Sequence, residues 1–299
     1  MVASIAPRFA GYEQQDAHEF VVFLLDALID DTNEVPAKAA YRELTERAED
    51  SDARVADLWW RYMSEHCSSR VRDIFTGQLK TAVRCAACGH VSRAFDTFTT
   101  LSLPLPVHGG GGGGGALALD ECLRAFTATA ELSGDNASYC SRCRTHQTSA
   151  KTMTLFRLPP LLIVHLKRFS SPGGGGGGGG GFGGYGYGRR STKIDVDVRF
   201  PRGAERLDLR PFLPDGAPAA APGACTTYTC VGVSNHSGGL SGGHYTADAF
   251  NCDAQAWHHF NDSHVSRASE RDLADESAAA YMIFYLRLDC TAGLGGTGV

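Results

Sequence analysis

The sequence predicts an α+β protein, helical in front and mostly antiparallel β behind. Two apolar stripes at helical spacing, Asp16 to Asp30 and Ala53 to Cys67, make the front. From Phe75 onward the texture changes to short apolar runs separated by turn residues, which make the rear.

The first helix opens on Asp16, with Glu19 three residues later, the spacing of a capping box. Phe20, Leu24, Ala27 and Leu28 then recur at helical intervals, with Glu19, Asp26 and Asp30 on the polar edge. Ser51 or Asp52 caps the second helix, whose apolar side is Leu58, Trp59, Tyr62 and Met63. Strands are expected at Leu79 to Arg84, His90 to Leu103, Tyr228 to Val233, His244 to Phe250 and Tyr281 to Leu286. Leu161 to Leu166 follows Pro159-Pro160 as an almost continuous apolar run and is expected to be a buried strand.

With 299 residues, 43% of them hydrophobic and 20% charged, the chain can bury a sizeable core. A net charge of −5 argues against a nucleic acid or a membrane held by the general surface. Met1 to Gly11 lacks the apolar stretch of a secretory signal. Phe20 to Ile29, the longest apolar run, is broken by Asp26 and too short to span a bilayer. The protein is therefore expected in the cytoplasm and/or nucleus, with neither membrane nor nucleic acid as a partner. Gly109 to Gly115 and Gly173 to Gly181 cannot pack side chains and are expected as surface loops, which cost little to insert. The second continues through Phe182, Tyr185, Tyr187 and Arg189-Arg190, groups able to stack on single-stranded RNA. Its low arginine content makes an expanded repeat in a tolerated loop the expected reading.

Four of the ten cysteines fall in two Cys-x-x-Cys pairs, Cys85/Cys88 and Cys140/Cys143. Each pair suits a hairpin tip, and two such tips complete a tetrahedral four-thiolate site for Zn2+. With no carboxylate and no open coordination position, the ion is expected to be structural. The other six cysteines (Cys67, Cys122, Cys225, Cys230, Cys252, Cys290) are expected as small buried hydrophobes.

Gly242-Gly243-His244-Tyr245 precedes, by one hairpin, Phe260-Asn261-Asp262. A histidine at a strand start, met by an amide and a carboxylate, is how a thiol protease holds its imidazole. The imidazole takes the thiol proton and returns it to the leaving amine, while a third group fixes its tautomer.

On these residues the chain resembles the ubiquitin-specific protease family of cysteine deubiquitinases. Gly11 to Phe20 is similar to its Gln-Gln-Asp-Ala-x-Glu-Phe block. Tyr228 to Gly238, Gly243 to Ala247 and Trp257 to Val265 resemble its histidine box. Ala280 to Tyr285 resembles its closing strand, and Ile74 to Leu79 with the two cysteine pairs resembles its zinc-bearing fingers. The resemblance runs from about Ala6 to Leu286, with the motifs in the family's order.

It implies a papain-like hand in one catalytic domain spanning 1–299. Residues 1–74 would be the remainder of the thumb, 75–170 mainly the fingers and 191–288 mainly the palm, with glycine loops at 109–115 and 173–188. It implies His244 as the catalytic base, Asn261 as its orienting residue and Asp262 as an accessory polarising residue. Gly242, Gly243 and Tyr245 would border a channel for a substrate tail ending in Gly-Gly. The loop from Asn235 to Gly243 would be that channel's movable wall. Asp16 would contact the arginine-containing tail of ubiquitin, a role that competes with its capping of the helix. The implied partners are ubiquitin and ubiquitinated proteins.

The family's nucleophile lies in a Gly-x-x-Asn-x-x-Asn-Thr-Cys segment well ahead of the Gln-Gln-Asp block, and Met1 stands only fifteen residues before Asp16. The N-terminal part of the thumb, with its cysteine, is thus expected to be absent from this chain. Three readings stay open: an N-terminally shortened deubiquitinase, a ubiquitin-binding pseudoenzyme, and an RNA-associated scaffold built on the Gly/Tyr/Arg loop. The chain alone is expected to be inactive.

Overall fold

A computed structural model describes residues 6–11, 14–36, 40–44, 47, 49–106, 116–170, 192–239, 242–269 and 279–293. Both glycine loops lie outside these residues.

Helix α1 (Ala17–Asp31) begins where Asp16 accepts from the backbone N–H of His18 and Glu19. Half of the expected capping box is therefore made. Ser51 caps α2 (Asp52–His66) by accepting from Arg54 N, and Ser69 caps the short α3 (Arg70–Phe75). Leu119, Cys122 and Leu123 are buried on one side of α4 (Leu119–Thr127). Neither α3 nor α4 was anticipated.

The strands in chain order are β1 (Gly77–Cys85), β2 (Val91–Phe98), β3 (Thr100–Leu103), β4 (Leu117–Ala118), β5 (Ala130–Leu132) and β6 (Ser138–Cys140). Then come β7 (Thr145–Gln147), β8 (Ser149–Arg157), β9 (Leu161–Leu166), β10 (Phe169–Ser170), β11 (Thr192–Lys193) and β12 (Val198–Arg199). The last are β13 (Leu207–Asp208), β14 (Thr227–Gly239), β15 (Gly242–Asn251), β16 (Ala256–Asn261), β17 (His264–Ala268) and β18 (Ala280–Arg287).

These form two principal sheets. One has the order β2-β1-β8-β5 and is antiparallel throughout; the small β6-β7 hairpin stands beside it. The other runs β17-β16-β15-β14-β18-β9-β3, with β13 added on β14. Its one departure from the expected antiparallel pattern among the described strands is β3, which pairs parallel to β9. The α+β class holds.

The main core lies between the large sheet and α4. Leu101, Leu103, Leu162, Val164, Leu166, Ile283 and Tyr285 pack there with Leu119, Cys122, Leu123, Phe200 and Leu209. A smaller core seats Val55 and Ala56 of α2 on Phe95, Phe156 and Ala217. Around it Asp52 pairs with Lys80 and Arg93, and Asp57 with Arg157. Arg168 is fully buried, yet it donates to the carbonyls of Ala280, Ile194 and Val196 at 2.6, 3.0 and 2.8 Å. A guanidinium so buried is tolerable only when its N–H groups are paired. Its bonds tie the segment after β11 to the head of β18. No helix among the described residues is long and apolar enough to cross a membrane.

Candidate active site

The segment expected as a movable loop, Asn235 to Gly243, is largely hairpin. β14 and β15 stay in register from Gly232↔Ala249 to Gly239↔Gly242, and residues 240–241 lie outside the described set. Two of its glycines, Gly238 and Gly243, serve close approach, while a Cβ at Gly239 or Gly242 would meet open space. Gly238 has φ +93°, and a Cβ there would stand 2.6 Å from the Gly242 carbonyl oxygen. A Cβ at Gly243 would collide with the His236 imidazole beneath it.

His244 pairs with Ser237 across this hairpin and is exposed. The β15–β16 ladder ends at Ala247↔Phe260, so Asn261 lies one residue beyond it, beside the turn to β17. There His244 Nε2 donates to Asn261 Oδ1 at 2.7 Å. That bond fixes the Nε2–H tautomer and leaves the Nδ1 lone pair without a hydrogen-bond partner among the described residues. Asp262 is exposed with φ 50°, a left-handed turn position that Asp tolerates. Among the described residues it makes no hydrogen bond to His244.

Behind this pair lies a clamp that sequence reasoning missed. The Asp248 carboxylate, 4% exposed, accepts from Asn235 Nδ2 at 2.9 Å and from His259 Nδ1 at 2.8 Å. It joins β14, β15 and β16 one ladder pair behind the end nearest His244 and Asn261.

The remaining expected residues meet at the start of α1. Asp16 Oδ1 accepts from His18 N at 2.7 Å and Glu19 N at 3.1 Å, and Oδ2 accepts from Tyr281 Oη at 2.6 Å. Tyr245 Oη accepts from Ala17 N at 3.3 Å. Burial raises the pKa of Tyr281, with the Asp16 bond adding to it, and burial raises that of Tyr245. Gln14, Gln15, Asp16, Phe169, His236, Gly239 and Tyr245 line an open groove. Gly242 is exposed at the head of β15. Tyr281 and His236 were not singled out as site residues, although the Tyr281 motif was noted.

A second, open groove separates Ala17, Phe20 and Val21 of α1 from the sheet residues Val231, Gly232, Ala247, Ala249, Met282 and Phe284. Leu24 and Leu28 on α1 and Phe260 and Val265 on β16–β17 are also exposed.

Two cysteines lie on or next to the strands of the His244 hairpin, and both are remote from its imidazole. Cys252 follows the far end of β15, eight residues away, and Cys230 lies seven residues along β14 from Ser237. At about 3.3 Å per residue, both are over about 20 Å distant. Burial raises the pKa of Cys122 to about 11 and of Cys230 to about 12, and it also raises those of Cys67 and Cys290.

Cys85 and Cys88 stand at the β1–β2 turn and Cys140 and Cys143 at the β6–β7 turn, as expected. All four Sγ atoms lie within 4.8 Å of one another; Cys85 to Cys143 is 3.9 Å and Cys88 to Cys140 3.6 Å. A tetrahedron with metal–sulfur bonds of about 2.3 Å has edges of about 3.8 Å, so the cluster could hold zinc. The Cys143 N–H donates to Cys140 Sγ at 3.4 Å, which lowers that thiol's pKa.

A family model described as ubiquitin carboxyl-terminal hydrolase matches residues 1–285. Ubiquitin carboxyl-terminal hydrolase 2 of Gallus gallus is 38% identical over 280 residues, which cover 94% of this chain and 70% of that protein. The Homo sapiens protein of that name is 37% identical, over 94% of this chain and 41% of its own length. Ubiquitin carboxyl-terminal hydrolase 21 of Homo sapiens is 36% identical, over 93% of this chain and 47% of its own. Among solved structures, a SAGA DUB module of Ubp8, Sgf11, Sus1 and Sgf73 bound to monoubiquitin is similar with a TM-score of 0.67 and 25% identity. That match covers 96% of this chain and 51% of the solved one. The chain thus spans about half the length of most of these relatives, and it belongs to the ubiquitin carboxyl-terminal hydrolase family.

Proposed function

We propose that this chain is the ubiquitin-recognising, imidazole-bearing part of a cysteine deubiquitinase that hydrolyses the isopeptide bond after ubiquitin's C-terminal glycine. The observation that carries this reading is the 2.7 Å bond from His244 Nε2 to Asn261 Oδ1. A base so held keeps Nδ1 free to draw the proton from a thiol. The thiolate then attacks the carbonyl carbon of the isopeptide bond, and His244 returns the proton to the departing lysine amine. Water, deprotonated by the same imidazole, releases ubiquitin from the resulting thioester. Asp262 would act only at a distance, through its charge.

The thiol is the element that none of the described cysteines supplies. We assign it to a segment outside these 299 residues, seated in the apolar groove between α1 and the sheet. Burying that groove against an apolar helix would stabilise the fold by roughly 25 cal/mol per Å², and the helix N-terminus would lower the thiol pKa. Without it, the chain is inactive. The groove lined by Asp16, His236 and Tyr245, beside the His244 hairpin, takes the C-terminal tail of ubiquitin. Zinc bound by Cys85, Cys88, Cys140 and Cys143 would brace the two hairpins and take no part in the chemistry.

The transcript upstream of the Met1 codon tests the assignment. An in-frame Asn-x-x-Asn-Thr-Cys segment is the expected result. A stop codon directly ahead of Met1 would instead make the chain a ubiquitin-binding pseudoenzyme.

A further inference from the structure

The start of α1 is held from outside the helix. Its first N–H groups are all taken: Ala17 by Tyr245 Oη, His18 and Glu19 by Asp16 Oδ1, and Phe20 by the Asp16 carbonyl at 3.0 Å. Tyr245 and Tyr281 stand on β15 and β18, the two neighbours of β14, so both sides of the sheet centre grip one helix end. Tyr281 is itself fixed. It is 2% exposed, and the rings of His165, Phe169, Tyr245 and His236 surround it at 4.9, 5.7, 6.0 and 6.2 Å. Kept protonated by burial, its hydroxyl donates to Asp16 Oδ2.

An ionised carboxylate offers about four acceptor sites. Among the described residues two on Oδ1 and one on Oδ2 are used, which leaves one on Oδ2. We propose that Tyr281 is a positioning residue that locks the Asp16 carboxylate with this one acceptor site presented to the groove, so a cationic side chain of the substrate tail is taken through a single contact. The inference rests on the ubiquitin reading of the preceding section and adds a specificity rule to it. An arginine fork needs both carboxylate oxygens for its paired bonds. Oδ1 is already saturated, so arginine gains nothing over lysine at this position.

The test is calorimetric binding of the 299-residue chain to three ubiquitins, whose tails carry the natural arginines, lysines in their place, or alanines. Wild-type chain is expected to bind the lysine tail within about threefold of the arginine tail, and the alanine tail clearly more weakly. Tyr281→Phe is expected to weaken arginine-tailed ubiquitin about fivefold and alanine-tailed ubiquitin less than about twofold. Equal weakening of both would reduce Tyr281 to a structural tether and overturn the inference. So would a wild-type preference for arginine over lysine of about tenfold or more. The lysine comparison needs no protein variant, so it decides even where Tyr281→Phe does not fold. Failure of wild-type chain to bind any of the three would overturn the ubiquitin reading itself, and this inference with it.

Discussion

The imidazole of His18 on α1 lies flat on that of His165 on β9, with ring centroids 3.8 Å apart and planes 9° from parallel. Each ring also meets a hydroxyl of β3, His18 Nε2 at Thr100 Oγ1 (3.1 Å) and His165 Nδ1 at Ser102 Oγ (2.9 Å). Burial lowers both pKa values, that of His165 to about 3, and the neighbouring His18 opposes charge on His165 further. The pair fastens α1 to the sheet only while both rings are neutral.

Stability is therefore expected to fall in acid. A folded pKa below the unfolded 6.5 gives stabilisation that is complete above pH 6.5 and is lost as the pH drops toward 3. For His165 alone the loss from pH 7 to 5 is about 2 kcal/mol. Urea melts at both pH values check this. His165→Phe, which keeps a flat ring and cannot be protonated, should lose less stability over that interval; an equal loss would place the acid sensitivity elsewhere.

Gly243→Ala is expected to destabilise the β14–β15 hairpin by about 1–3 kcal/mol, since its Cβ would strike the His236 ring and stand 2.9 Å from the Ser237 carbonyl oxygen. The same variant should abolish detectable ubiquitin binding, because the displaced His236 lines the groove. Full binding by a folded Gly243→Ala protein would remove this glycine from the channel.

Asp248→Asn puts an amide N–H where one of two buried donors now finds an oxygen. A loss of about 1–3 kcal/mol is expected, seen as a melting temperature roughly 2–10 °C lower. An unchanged melt would mean that Asn235 and His259 do not depend on the Asp248 carboxylate.

Zinc analysis of the purified chain should find about one ion per molecule, and Cys88→Ser should reduce that severalfold while lowering the melting temperature. Metal content unaffected by Cys88→Ser would exclude the four-cysteine site.

What the sequence made legible, and what it did not, divides along physical lines. α1 and α2 carry side-chain caps at Asp16 and Ser51 and long apolar stripes, so local pattern sufficed. The cysteine pairs and the His244/Asn261 box are short-range motifs, and they too could be read directly. Nine-residue α4 offers only about two and a half turns of periodicity, and the parallel pairing of β3 with β9 depends on a partner about sixty residues away. Tyr281 meets Asp16 across a separation of 265 residues. The burial of Arg168 and Asp248 follows from which faces the sheet covers, and residue type alone argues for exposure. The glycines of Asn235 to Gly243 suggest hinges from sequence, whereas two of them, Gly238 and Gly243, permit close approach within a ladder.

The most direct test of the account is hydrolysis of a ubiquitin–fluorophore conjugate by the zinc-loaded 299-residue chain. No turnover above background, from a protein that nonetheless binds ubiquitin, is the predicted result. Turnover that His244→Ala abolishes would contradict it, because one of the chain's own cysteines would then be the nucleophile.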